Sequence, residues 1–196
     1  HFERFKIAVD AAEFFGAPLL RVFSYYPPDG GDILQHRDEV LRRFEEKLKY
    51  LKGHPITLIH ENEKGIFGAM GGPCIDLMKT IHSPQLRMAF DFANFIQVGQ
   101  KPLDCWPELK PYSVHIHIKD AILATGKVVA AGKGDGQIEP ILVDLKNSGY
   151  TGFLSLEPHL AAEGQFSGFS GPNLFKVAAD SLKELCRANG IPLAGA

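Results

Sequence analysis

The 196-residue chain predicts an α/β fold built on a parallel sheet. Three observations carry that expectation. Short apolar runs alternate with amphipathic helical stretches, which is the βαβ pattern. No convincing antiparallel hairpin breaks the alternation. Four of the apolar runs also end in Glu, Asp or His, which gathers polar chemistry at one end of the sheet. An open doubly wound sheet and a (β/α) barrel both fit. Neither a Gly-x-Gly-x-x-Gly turn nor a P-loop with its Lys follows any strand, so nucleotide binding loses its main support.

The elements follow in order. Phe5, Ala8, Val9, Ala12 and Phe15 recur at helical spacing, and Gly16 offers a stop. Leu19–Phe23 reads as a strand. Pro27, Pro28, Gly30 and Gly31 make a loop. Asp38 to Leu51 is a helix with Val40, Leu41, Phe44, Leu48 and Leu51 on one side and charges on the other. Ile56–Ile59 is the next strand, followed by a Gly-rich loop and a helix from Pro73 to about Thr80. Leu86–Phe90 is a strand, and the segment through Trp106 to Leu109 is a short helical connection. Val114–Ile118 and Val128–Ala130 are strands. A helix holding Ile138, Ile141, Leu142 and Leu145 stops at Gly149. Phe153–Leu156 is the sixth strand, and a helix over Pro172 to Ala188 comes last.

No linker or low-complexity tract divides residues 1–196, so a single domain is expected. Hydrophobic residues at 45% and charged residues at 22% are an ordinary globular mixture. Lys and Arg number 21 against 23 Asp and Glu, a net charge of −2, which removes the electrostatic motive for nucleic-acid binding. No apolar run approaches the roughly 18–20 residues that cross a bilayer. Cys74, Cys105 and Cys186 are odd in number and widely spaced, which suggests reduced thiols and a cytoplasmic protein.

The chemistry sits where strands end. Ile56–Ile59 leads to His60-Glu61, and Leu86–Phe90 leads to Asp91. Val114–Ile118 carries His115 and His117 and leads to Lys119-Asp120; Phe153–Leu156 leads to Glu157-Pro158-His159. In a barrel, the C-terminal ends of the strands form the catalytic face. Side chains alternate along a strand. Glu61 then shares a face with Ile59 and Thr57, Asp91 with Ala89 and Arg87, His117 with His115, and Glu157 with Ser155. The opposite faces are oily.

Three carboxylates and an imidazole on converging strand ends repel one another and lose solvation, so they call for a cation. Glu61, Asp91, His117 and Glu157 suit one borderline-hard divalent ion such as Mn²⁺, Mg²⁺ or Co²⁺, and admit Zn²⁺. Asp120 reads as structural, and His60 as packing away from the polar face. Cys74 and Cys105 read as inert thiols and Trp106 as packing. The Gly132–Gly136 run reads as a turn with Asp135 near a helix start.

At these residues the sequence resembles the xylose isomerase-like barrel superfamily, in particular its sugar phosphate isomerase and epimerase members. The resemblance is carried by Leu58-Ile59-His60-Glu61-Asn62, by Phe90-Asp91-Phe92-Ala93-Asn94-Phe95, by Val114 to Asp120, and by Gly149 to His159. It implies a (β/α)8 TIM barrel and a metal held by Glu61, Asp91, His117 and Glu157. It also implies Glu61 and Glu157 as the acid and base of an isomerase or epimerase working through an enediolate on a keto-sugar or polyol. His115, Lys119, His159 and Arg21 are then candidate contacts to substrate hydroxyls or phosphate. Two departures stand out. Epimerases of this family carry a His shortly after the Asp, where this chain has Asn94. They also carry an Arg after the metal-binding His, which Ile118 to Leu123 does not supply.

The rival readings are a dehydratase of a keto-inositol on the same scaffold, an endonuclease IV-like phosphodiesterase, and a non-catalytic sugar-binding protein. The expected partner is a small sugar or polyol, with neither nucleic acid nor membrane; the oligomeric state stays open, a homo-oligomer included. A complete barrel takes eight strands and typically about 250 residues. Set on the family pattern, the six strands become barrel strands three to eight. The expectation is therefore a barrel lacking its first two βα units, with strands three and eight at its edges.

Overall fold

The computed structural model describes residues 1–160 and 170–193. The chain divides into two compact units, His1–Ala89 with Glu108–Val114, and Phe90–Pro107 with His115–Ala196.

The first unit holds α1 (Phe2–Phe14), β1 (Leu19–Val22), α2 (Arg37–Tyr50), β2 (Thr57–Glu61), α3 (Gly71–Ile81) and most of β3 (Leu86–Asp91). β1 runs parallel to β2 with Arg21 opposite Ile59, and β2 runs parallel to β3 with Glu61 opposite Ala89. Alternation along β2 puts Leu58 and His60 on one face. The His60 ring lies 5.9 Å from Phe44 of α2, so that face packs on helix, as the sequence implies. Burial pushes the His60 pKa down to about 4. β2 continues two residues past the apolar run and carries Glu61 at its end. α1 closes one residue early: Phe15 is its C-cap and 79% exposed, and Gly16 turns the chain at φ +66°.

One buried position of α2 has no apolar signal in the sequence. Lys47 is 2% exposed. Its Nζ lies 4.8 Å from the centroid of the Tyr25 ring, 5.0 Å from Phe44 and 5.6 Å from Phe5. Three ring faces around an ammonium compensate part of its lost hydration through cation–π attraction. They do not compensate all of it: burial, and then the positive charge of Arg43, push the Lys47 pKa down to about 8.

The second unit begins at Phe90, whose ring lies 5.4, 5.1 and 5.0 Å from those of Phe92, Phe95 and Trp106. Phe92 and Phe95 belong to α4 (Phe92–Gln97), a six-residue helix that the sequence reading passes over. Trp106 opens α5 (Trp106–Leu109), and its Nε1 donates to Asp144 Oδ2 at 2.8 Å on α6 (Ile138–Asn147). Trp106 is a packing residue, as read. β4 (Ser113–Ile118) spans the unit boundary and pairs in parallel with β7 (Leu154–Leu156), His117 opposite Ser155. α7 (Pro172–Ala188) follows and buries Ala178, Leu182 and Cys186.

The expected strand at Val128–Ala130 does not join the parallel sheet. Val128–Val129 forms β6 and pairs antiparallel with β5 (Asp120–Ala121), a short hairpin the alternation argument missed. Two residues of each strand leave too little periodicity to read. The main sheet thus has five parallel strands in the order β1-β2-β3-β4-β7, with β1 and β7 at its ends among the described residues.

Lys47→Met tests the cost of the buried ammonium. With a folded pKa of about 8 against the ordinary 10.5, the native state binds fewer protons than the unfolded chain between those values. Wild-type stability therefore gains from this group as pH rises through that window. Cys105, pushed up to about 12 by burial, works in the opposite sense above its ordinary pKa, so the informative quantity is the difference between the two proteins. From urea midpoints, the stability of Lys47→Met relative to wild type is expected to be greater at pH 7 than at pH 10 by roughly 2–3 kcal/mol. A difference that does not vary with pH refutes the buried-charge account.

Candidate functional site

The second unit gathers a donor cluster from three strand ends. Asp91 closes β3 and is fully buried, His117 on β4 is 4% exposed, and Glu157 follows β7. One donor atom from each lies within 4.8 Å of the others. His117 Nδ1 is 3.3 Å from Glu157 Oε1. Lys119 lies among them, 6% exposed, its Nζ 3.0 Å from Asp91 Oδ2 and 3.5 Å from Glu157 Oε2.

Asp91 does two jobs. It is the N-cap of α4, where Oδ1 accepts the Asn94 amide proton at 2.8 Å. That bond satisfies one of the orphan amides of the first turn and fixes the carboxylate's orientation. Oδ2 is thereby aimed at Lys119. A strand-end Asp can be a helix cap or a ligand, and here the geometry serves both. Asp at a strand end, a favoured N-cap residue, was the available signal for α4.

His115, two residues before His117, has its ring centroid 5.2 Å from the His117 ring, and its Nε2 is 2.8 Å from Ser155 Oγ. It is tied into the same face as the cluster. His159 lies at the surface with φ +38°, a left-handed conformation uncommon outside glycine. In the first unit, Glu61 is 1% exposed, and its Oε2 accepts from Arg21 Nη1 at 2.8 Å. The Arg21 guanidinium lies 5.0 Å from the Phe23 ring centroid. Arg21, read as a substrate contact, thus forms an ion pair with a carboxylate read as a ligand.

Asp120 is structural, as read, and its role is specific. Its carboxylate accepts the amides of Ala121 and Gly132 at 2.9 Å, of Gly134 at 3.0 Å and of Gly136 at 2.9 Å. The Gly132–Gly136 loop wraps one carboxylate and spends its donors inward. Any side chain at Gly134 would place a Cβ 2.5 Å from the Ala121 carbonyl oxygen. The loop is a clasp on Asp120, the residue after Lys119 and three after His117.

The donor chemistry fits a divalent cation. Two carboxylates and an imidazole converge in a largely buried setting, a donor set that suits such an ion.

The family pattern described as "Xylose isomerase-like TIM barrel" matches residues 1–185. The chain belongs to this family. A D-tagatose 3-epimerase-like protein superposes with a TM-score of 0.75 at 18% identity, over 93% of this chain and 67% of that one. An IolI protein with a bound zinc atom superposes with a TM-score of 0.76 at 12% identity, over 96% and 69%. These likenesses show the fold, and the five-stranded parallel sheet is part of such a TIM barrel. A 77-residue stretch is 30% identical to the uncharacterized protein YihM of Escherichia coli K12, covering 36% of this chain. The chain spans 24% of that curated relative.

Asp120→Ala strips the loop of its acceptor and leaves buried amides unpaired. Chemical denaturation is expected to show a loss of roughly 2–4 kcal/mol. Gly134→Ala is expected to cost a comparable amount through the clash with Ala121. Wild-type stability in either variant would show that the clasp carries no load.

Proposed function

We propose that the chain carries the centre of a divalent-metal-dependent sugar or sugar phosphate isomerase or epimerase. The observation that supports it is the cluster of buried Asp91 and His117 with half-buried Glu157, on the strand ends where a TIM barrel places its chemistry. Glu61, buried at the end of β2, is the fourth ligand in this reading. The tagatose 3-epimerase-like fold and the zinc-bound IolI fold support the substrate class and the metal. Mn²⁺ is our first choice of ion, and Mg²⁺, Co²⁺ and Zn²⁺ suit the same donors.

When bound, the metal supplies Lewis acidity, polarising the substrate's adjacent carbonyl and hydroxyl oxygens and lowering the cost of enediolate charge. The residues do the rest. One of Glu61 and Glu157 takes the proton from the carbon beside the carbonyl, and the other returns a proton. Arg21 holds Glu61 by its Oε2 and so orients it. Before a metal binds, Glu157 is held by its contacts to His117 and Lys119. His115, oriented by Ser155, is positioned to meet a substrate hydroxyl; His159 and Lys119 are the remaining candidate contacts.

The test is solvent exchange. The protein, loaded with MnCl₂ and incubated with a panel of ketoses in D₂O, is expected to place deuterium on the carbon beside the carbonyl. Glu157→Gln is expected to slow exchange by about 10²–10⁴-fold, the usual contribution of a placed acid or base. Full exchange in that variant removes Glu157 from the proton transfer. A product lighter by one water reassigns the reaction to dehydration. No metal uptake by the wild type removes the proposal altogether.

A further inference from the structure

Lys119 does more than the sequence asks of it. It follows the last residue of β4, two residues after His117, so a metal donor and an ammonium leave the same strand end close together. The ammonium does not reach outward; it is 6% exposed and lies against two of the three clustered donors. The oxygens it meets matter. Asp91 Oδ1 is committed to the Asn94 amide, so Oδ2 is the oxygen a cation would take, and Lys119 Nζ is 3.0 Å from it. Glu157 offers Oε1 toward His117 and Oε2 toward Lys119. A divalent ion bonded at about 2.0–2.2 Å to these oxygens would stand where the ammonium now makes its contacts. Two cations drawing on the same oxygen repel, and the repulsion is strong because the site is dry.

We propose that Lys119 is the site's own stand-in cation: its ammonium holds Asp91 and Glu157 together in the metal-free protein, and a divalent ion must displace it to bind. This rests on the metal reading above. The arrangement serves folding: the carboxylates are never left uncompensated, so the site assembles before any metal arrives. It also weakens metal binding, because every ion that enters breaks an existing ion pair.

The experiment uses wild type, Lys119→Met and Lys119→Arg, each checked by circular dichroism and titrated calorimetrically with MnCl₂. Thermal unfolding is recorded in EDTA and in saturating Mn²⁺. Lys119→Met is expected to bind Mn²⁺ at least about tenfold more tightly than wild type. It is also expected to melt lower without metal and to gain more in Tm from Mn²⁺. Lys119→Arg keeps the charge and is expected to stay near wild type. Folding of Lys119→Met only when Mn²⁺ is present supports the proposal equally. A folded Lys119→Met with unchanged or weaker Mn²⁺ affinity overturns it, because Lys119 then supports the loaded site instead of competing for it. If neither wild type nor Lys119→Met binds Mn²⁺, the metal reading itself falls.

A second measurement needs no variant. In wild type labelled with ¹⁵N-lysine, the buried Lys119 ammonium is expected to give a resolved signal without metal, and that signal is expected to shift or vanish on saturation with MgCl₂. A signal that persists unchanged at saturation overturns displacement.

Discussion

Carboxylates at the ends of parallel strands govern this molecule. A parallel sheet aligns its strand ends, and a chain that closes several of them with Asp or Glu brings like charges into a region shielded from water. Such an arrangement is stable only with positive charge among the carboxylates. Three of these carboxylates have such a partner. Glu61 has Arg21 at 2.8 Å, Asp91 has Lys119 at 3.0 Å, and Glu157 has Lys119 and the His117 ring. Asp120 is the exception that clarifies the rule, since four backbone amides take the place of a cation.

The supporting structure follows from that constraint. Asp91 can be placed accurately because α4 starts on it: the helix's first turn needs an acceptor, and the carboxylate needs an orientation. His117 and Lys119 can be placed because Asp120, next along the chain, is clasped by a glycine loop. Gly134 and Gly136 have no space for a Cβ, and this close approach explains the glycines better than turn-making does. The donors lie on strand ends backed by helix caps and clasps. Rigid placement of this kind is what precise chemistry requires.

Much of this was legible in the sequence because period-two alternation leaves a strong mark. Glu61, Asp91, His117 and Glu157 stand out as polar residues completing apolar runs, and His60 was correctly set on the helix-facing side. What escaped reading had weak or misleading local signals. α4 has six residues, five of them buried with Asn94 among them, so it shows no helical stripe. The β5–β6 hairpin is too short for alternation to register. Lys47 was assigned to the charged side of α2 because it is a lysine. Its burial depends on Phe5 and Tyr25, which come from separate parts of the chain, and no pattern within α2 reveals them. Tertiary partners from distant sequence defeat local reading, whether they cage a lysine or bring Lys119 against Asp91.

Lys119 and the glycine loop also bear on substrate. A glycine-rich loop beside a polar cluster invites a phosphate-binding reading, since backbone amides are good anion donors. Here the amides of Gly132, Gly134 and Gly136 point at Asp120, so the loop's donors are already spent. Phosphate recognition, in a phosphorylated substrate, would fall to side chains. Arg21, its side chain 45% exposed, is engaged with Glu61. Asn94, where related epimerases carry a histidine, is 1% exposed and lends its amide to Asp91. That position therefore supports a donor, and a change of side chain there alters the cluster's surroundings while the backbone amide still donates to Asp91. The donor set and its surroundings are thus separable: Asn94 and the His115–Ser155 pair border the donors without belonging to them.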